Sequence, residues 1–269
     1  MEREKTIAVA GADKRSQAMR AALAETGYRI VGLADRKDAL AAVLPMPYTL
    51  DGKTVKDTDI SLEELFGSLE DRFVVLGGRL DLYAYCLAMN SGVRLFDYYD
   101  QEPVKIKNAA LTADGAMAMA PVDLGIQLCN CRVLVCGFGR TGKALANRLR
   151  GAGAMVTVSA RKETDLAWIE ALGCHAMDAE HLNLEGFDLV MNTVPVRLLT
   201  EERIAGMKKD AAIIDLASAP FGTDFEAAKR RGITALTAPS LPARVFPEKA
   251  GRILAKSAIC LLKEAGCGI

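Results

Sequence analysis

No run of about eighteen apolar residues, the length a membrane-crossing helix needs, occurs in this 269-residue chain. An excess of charge is missing too, since Lys+Arg and Asp+Glu both number 34. Binders of nucleic acid or of membrane surfaces draw affinity from a positive excess, so neither class fits, although local basic patches stay open. The seven cysteines (86, 129, 131, 136, 174, 260, 267) are odd in number and form no C-x-x-C pair. Metal-ligand spacing is therefore absent, and no disulfide framework is expected. Cys129 and Cys131 alternate along a predicted strand edge and would share a face; the thiols as a set read as buried or bland. Histidine is scarce, with only His175 and His181. The opening Met1-Glu2-Arg3-Glu4-Lys5-Thr6 lacks the apolar stretch of a signal peptide, so a cytoplasmic location is expected.

What is present suits a soluble chain of two ordinary domains: 51% hydrophobic and 25% charged residues. Strand and helix patterns alternate twice. The first series runs from Thr6-Ile-Ala-Val-Ala-Gly11 through a helix near 14–26, a Gly27 stop and a strand at 29–34. After an irregular stretch over 45–59 it resumes with a helix at 61–70, a strand at 73–77, a helix at 82–90 and a strand at 93–96. A linker over 97–107 leads to a helix at 109–128. The second series places strands at 132–137, 155–160, 174–177, 187–191, 211–216 and 233–236, with helices between them. A Pro-rich loop (238–247) and a helix at 249–265 close the chain. Such alternation predicts an α/β protein of two doubly wound parallel-sheet domains. Residues 1–107 form a flavodoxin- or Rossmann-like substrate-side domain. Residues 108–269 form a Rossmann dinucleotide-binding domain that includes the C-terminal helix.

Arg132-Val-Leu-Val-Cys-Gly137-Phe-Gly139-Arg140-Thr141-Gly142 is a strand running into G-x-G-x-x-G and then a helix. Gly137 makes the tight turn, Gly139 admits a pyrophosphate to the backbone, and Gly142 lets helix and strand pack closely. The helix start at Arg140 and Thr141 supplies oriented N–H groups for the anion. NAD enzymes carry Asp or Glu near the end of the next strand to hold the ribose 2′-hydroxyl. Here that strand ends Ser159-Ala160-Arg161-Lys162. Two cations and a hydroxyl in place of an acid point to the 2′-phosphate of NADP over NAD. The blander account is a solvated helix start.

These stretches resemble the A subunit of bacterial dipicolinate synthase, which makes the dicarboxylate of spores. The resemblance rests on Val135-Cys-Gly-Phe-Gly-Arg-Thr-Gly142, Val156-Thr-Val-Ser-Ala-Arg161, Asn192-Thr-Val-Pro195, and Ile214-Asp-Leu-Ala-Ser218 leading to Asp224-Phe225. Asn108 with Thr112-Ala-Asp-Gly-Ala116 adds to it, and Gly11-Ala-Asp-Lys-Arg15 matches more thinly. Two loops depart from the family pattern: Arg244 stands where a lysine is expected, and Phe221-Gly222 replaces a glycine pair. The resemblance implies oxidation of dihydrodipicolinate to dipicolinate by hydride transfer, with sporulation as the setting. It also implies that the partner is a flavoprotein-like B subunit. Self-association into a homo-oligomer stays open.

In open α/β sheets ligands sit beyond the carboxyl ends of the strands. That rule selects Asn192, Thr193, Pro195 and Ser218 for the ribose and nicotinamide. It selects Arg15, Arg79 and Arg244 as cations for a dicarboxylate, with Asp13 as proton acceptor. Asp13 could equally cap the following helix, Asn192 could be a turn residue, and each arginine could be a surface one. Both histidines fall near the third strand of the second domain, which disfavours a hydroxyacid dehydrogenase needing an imidazole acid–base. Another two-domain dehydrogenase, of the alanine or shikimate type, and a non-catalytic NADP-binding regulatory subunit remain as alternatives.

Overall fold

The computed structural model describes residues 5–71 and 73–269; Met1 to Glu4, on which the signal-peptide expectation rests, and Arg72 lie outside the described residues. The chain divides into two units, one of residues 1–107 with 246–269 and one of residues 108–245. Among the described residues no helix is long and apolar enough to cross a membrane.

The first unit holds a parallel sheet of β1 (Thr6–Val9), β2 (Arg29–Val31), β3 (Ala41–Val43), β4 (Val74–Gly77) and β5 (Arg94–Asp97), in the order β2-β1-β3-β4-β5. This is the flavodoxin-like order, reversing direction between β1 and β3. Helices α1 (Lys14–Glu25), α2 (Leu62–Gly67) and α3 (Leu82–Asn90) connect the strands. Ile7, Val9 and Val43 pack into an apolar cluster on one face, while Ala8, Ala42 and Val75 enter another on the opposite face. Strands buried on both faces read as unbroken apolar runs. β3 has no counterpart among the expected strands. Its Ala-Ala-Val carries a weak strand signal, and burial between β1 and β4 overrides local preference.

Helix α4 (Glu102–Asp123) starts inside the expected linker and ends sooner than 128. Pro103 is no obstacle, because a first-turn N–H has no intrahelical partner to lose. The unit boundary falls within this helix.

The second unit contains β6 (Arg132–Cys136), α5 (Arg140–Gly151), β7 (Met155–Ala160), α6 (Glu163–Ala171) and β8 (His175–Asp178). It continues with β9 (Leu189–Asn192), α7 (Glu201–Ile204), β10 (Ala212–Asp215), α8 (Phe225–Arg230), β11 (Thr234–Thr237) and α9 (Leu241–Val245). The strand order β11-β10-β9-β6-β7-β8, all parallel, is that of a complete dinucleotide fold, with its switch point between β6 and β9. Apolar clusters cover both faces of the sheet.

Helix α10 (Pro247–Glu264) corrects the expected 108–269 domain: it belongs to the first unit. Leu254, Leu261 and Leu262 join Ile7 and Leu23 in one cluster, and a Cβ on Gly251 would lie 2.3 Å from the Arg15 carbonyl oxygen of α1. An amphipathic stripe shows that a helix is half-buried, not which sheet it covers. The loop expected over 238–247 also contains a turn of helix, α9.

Candidate functional site

The phosphate loop of the second unit is built by three glycines with three different requirements. Gly137 has φ +95°, and a Cβ there would come within 2.7 Å of the Thr193 hydroxyl. Gly142 packs so tightly that a Cβ would stand 2.0 Å from the Gly137 carbonyl oxygen. Gly139 is the opposite case: an added Cβ would meet nothing within 4 Å. It is also the N-cap of α5, a twelve-residue helix whose first turn receives no side-chain cap. Open space beside Gly139 and an uncapped, positive helix start together leave room for a pyrophosphate.

Beside the loop lies a cavity of about 570 Å³. It brings together Gly137, Gly139, Ser159, Arg161, Lys162, Thr193 and Pro195 of the expected cofactor residues. Arg140 and Thr141 lie on the first turn of α5, and Ser218 is exposed beyond β10. Arg161 and Lys162 are exposed, and neither forms an ion pair among the described residues. Two carboxylates missed in the sequence, Asp165 and Glu180, also border the cavity. Glu180 follows β8 instead of β7, beyond the position where an acid for the ribose is sought. The Ser159 hydroxyl is buried with Cys136 as neighbour but makes no satisfying hydrogen bond. An orphaned buried hydroxyl at the wall fits a site that receives a polar ligand.

Strand register explains the floor of this site. Ser159, Cys136, Asn192 and Asp215 are consecutive partners across β7, β6, β9 and β10, so they form one buried row at the sheet's final rung. Asn192 was expected to touch the cofactor, and the structure corrects this. Its side chain is fully buried, donates to the Val194 carbonyl (3.0 Å) and to Asp215 (3.1 Å), and accepts from the Val194 amide (3.1 Å). Thr193 donates its hydroxyl to the Cys136 carbonyl at 2.7 Å, tying β9 to β6 across the switch point.

In the first unit, Asp13 and Arg15 are committed to structure. Asp13 caps α1, accepting from the Ser16 amide at 2.7 Å, and pairs with Lys56. Burial works to raise the Asp13 pKa, but the bonds from Lys56 and Ser16 outweigh it and hold the carboxyl below its ordinary range. Asp57 accepts from the Ala12 amide at 2.9 Å, so the turn that could have been a second phosphate loop is occupied by acids. Arg15 is 7% exposed, and its guanidinium donates to the Met46 carbonyl. Arg79 is different. Its backbone sits at φ +60°, and the Asp97 carboxylate accepts from its amide (3.3 Å) and from those of Leu80 (2.9 Å) and Tyr99 (2.7 Å). A left-handed arginine held by such a clamp is strain of the kind found at ligand sites. Its side chain is exposed, with no ion pair among the described residues. Arg244 is exposed on α9 of the second unit.

His175 and His181 lie on and just after β8, the sheet's edge strand, both exposed. Cys129 and Cys131 do not share a face: Asn130 between them is left-handed (φ +61°), which breaks the alternation, so Cys129 is exposed and Cys131 buried. Burial pushes the Cys131 thiol up to about 11 and Cys136 up to about 12, so neither is reactive.

Residues 107–222 match the family model described as D-isomer specific 2-hydroxyacid dehydrogenase, NAD binding domain. The A subunit of dipicolinate synthase from Bacillus subtilis is 33% identical over 230 residues, 82% of this chain and 77% of that protein. The crystal structure of the same Bacillus subtilis subunit superposes with a TM-score of 0.88 at 27% identity, covering 99% of this chain and 98% of that one. The structure of the corresponding Bacillus halodurans protein gives 0.86 at 28% identity, covering 96% and 97%. The dinucleotide domain and these relatives make the chain an NAD(P)-dependent oxidoreductase.

Proposed function

The chain belongs to the dipicolinate synthase A-subunit family, and from that premise we propose that it oxidises dihydrodipicolinate to dipicolinate with NADP as hydride acceptor. The observation that carries the cofactor half is the open Gly139 cradle beside a cavity bordered by Arg161 and Lys162. In this proposal the α5 N–H groups receive the pyrophosphate, Arg161 and Lys162 take the 2′-phosphate, and Ser159 offers its unsatisfied hydroxyl nearby. A bound nicotinamide supplies the ring that accepts hydride. The substrate loses that hydride and one proton, and its ring becomes aromatic.

Two substrate carboxylates call for cations. Among the sequence candidates Arg79 now ranks first, being exposed and clamped. Arg244, also exposed, is a separate candidate, while Arg15 ranks last because it is buried against Met46. Asp13 is a poor proton acceptor, since Ser16 and Lys56 each bond one of its oxygens and hold its carboxyl below the ordinary range. A flavoprotein-like partner belongs to this proposal; the Bacillus subtilis relative is one lettered component of its synthase, which supports a second component here.

A specific observation favours a second cofactor: Asp165 and Glu180 on the same cavity offer acceptors for a free 2′-hydroxyl, which suits NAD. Incubation of the protein with dihydrodipicolinate and either dinucleotide, with and without the partner, tests both. Dipicolinate formation tracking NADP reduction is expected. Turnover only on a simple amino or hydroxy acid would make the chain a different dehydrogenase, and tight binding without turnover under any condition would make it a regulatory subunit.

A further inference from the structure

Strands β7 and β8 leave the second unit's sheet side by side. Their last rung pairs Ala160 with Asp178, and the Ala179 amide then donates to the Ala160 carbonyl at 3.0 Å, so the ladder runs one residue past β8. Arg161 comes next on one path and Glu180 on the other, and both line the dinucleotide cavity. The turn that presents Glu180 is fixed, because the Asp178 carboxylate accepts from the Glu180 amide at 2.9 Å. That bond holds the Asp178 carboxyl below its ordinary range, so the acceptor is charged at neutral pH.

Glu180 is exposed and forms no ion pair among the described residues, and the same holds for Arg161 and Lys162. Charges of both signs therefore line one cavity without being spent on each other. A second observation on the same wall points to a ligand: the Ser159 hydroxyl, two residues before Arg161, is 1% exposed and has no partner. The end of the second strand of a dinucleotide fold is where the ribose 2′ group is read. That strand is β7, and register brings a carboxylate to the place where β7 itself ends in cations.

We propose that Glu180 is a specificity-determining residue that reads the ribose 2′ position against Arg161, accepting from a free 2′-hydroxyl and repelling a 2′-phosphate. This rests on the reading of the cavity as a dinucleotide site. A 2′-phosphate carries about two negative charges at neutral pH, so Arg161 and Lys162 attract it while Glu180 opposes it. A 2′-hydroxyl is a donor, which the carboxylate can accept from and the cations cannot. Asp165, the other carboxylate at the cavity, has a different task. It stands in the first turn of α6, whose start no side chain caps, and complements that positive helix end.

The test uses two fragments that differ only at the 2′ position, ADP-ribose and its 2′-phosphate, with binding measured by calorimetry. Glu180→Gln removes the charge and keeps an acceptor, whereas Glu180→Ala removes both. Both variants are expected to bind the 2′-phosphate form about tenfold more tightly than wild type does. That gain should shrink to about twofold in 1 M salt, where charges are screened beyond about 3 Å. ADP-ribose should stay within about twofold of wild type in Glu180→Gln and weaken about fivefold in Glu180→Ala. Asp165→Asn makes the same change in cavity charge and should move either ligand by no more than about twofold. A shift in Asp165→Asn equal to that in Glu180→Gln would reduce Glu180 to a share of the general charge and overturn the proposal. Wild-type affinities for both fragments in the two Glu180 variants would overturn it too. A wild-type protein that binds neither fragment would remove the dinucleotide site as well, a result distinct from binding that ignores Glu180.

Discussion

Two glycines of the phosphate loop should fail in opposite ways. Gly142 has no room, because its added carbon would stand 2.0 Å from a backbone oxygen. Gly142→Ala should therefore lower stability by about 1–3 kcal/mol or more, seen as a lower Tm with and without cofactor. Gly139 has room and negative φ, so Gly139→Val should leave Tm nearly unchanged and abolish dinucleotide binding, since the branched side chain occupies the pyrophosphate's place. Thermal unfolding together with cofactor titration separates the two; a stable Gly139→Val protein that still binds would make the loop ornamental. The arginines divide in the same manner. Arg15→Ala should lower Tm, because it leaves the Met46 carbonyl without its buried donor. Arg79→Ala should leave Tm alone and raise KM for the dicarboxylate; on the proposed substrate role the loss is about 2–5 kcal/mol. Wild-type KM in Arg79→Ala would end that role. The glycine motif was legible because backbone approach allows no other residue. The fates of Asp13, Arg15 and Asn192 were not, because being near a strand end does not reveal whether a neighbour has already claimed the side chain.

At the scale of elements, the β6–β9 switch is secured at its far end by Asp188, which accepts from the Arg132 amide at 2.8 Å and pairs with Lys208. Burial acts to raise the Asp188 pKa, but Lys208 and the Arg132 amide overcome it and hold the carboxyl low. A carboxyl depressed in the fold adds stability above the unfolded value of about 4, and that gain disappears as pH falls through the depressed value. The Tm gap between wild type and Asp188→Asn should be widest near neutral pH and close in acid below about pH 4. A gap independent of pH would remove Asp188 from the account. Strand β7 and helix α3 were legible residue for residue, since each has clear flanking turns. β3 was invisible because three residues carry no period, and the start of α4 was hidden by Pro103, which reads as a breaker in sequence but is tolerated in a first turn.

At the scale of the molecule, the two-sheet plan followed from the alternation of strands and helices, but the path of the last segment did not. Helix α10 returns to the first unit, where Leu254, Leu261 and Leu262 are buried and the Ser257 hydroxyl donates to the Tyr98 carbonyl at 2.8 Å. Arg94 donates to the Ala265 carbonyl at 3.0 Å, which ties β5 to the same segment. The exposed Arg252–Glu25 pair adds little by comparison. Burying three leucines stabilises by about 5–9 kcal/mol, comparable with the entire stability of many domains. A chain ending at Val245 should therefore lose the cooperative unfolding of its first unit and expose apolar surface to a hydrophobic dye. The second unit, residues 108–245, contains both switch-point strands and the whole phosphate loop, so it should keep its cofactor affinity within about threefold, a change of less than 1 kcal/mol. Calorimetry and cofactor titration on the shortened chain measure the two effects separately. Loss of cofactor binding alongside an intact first-unit transition would reverse the assignment of α10 and restore the continuous domain that the order of the sequence suggested.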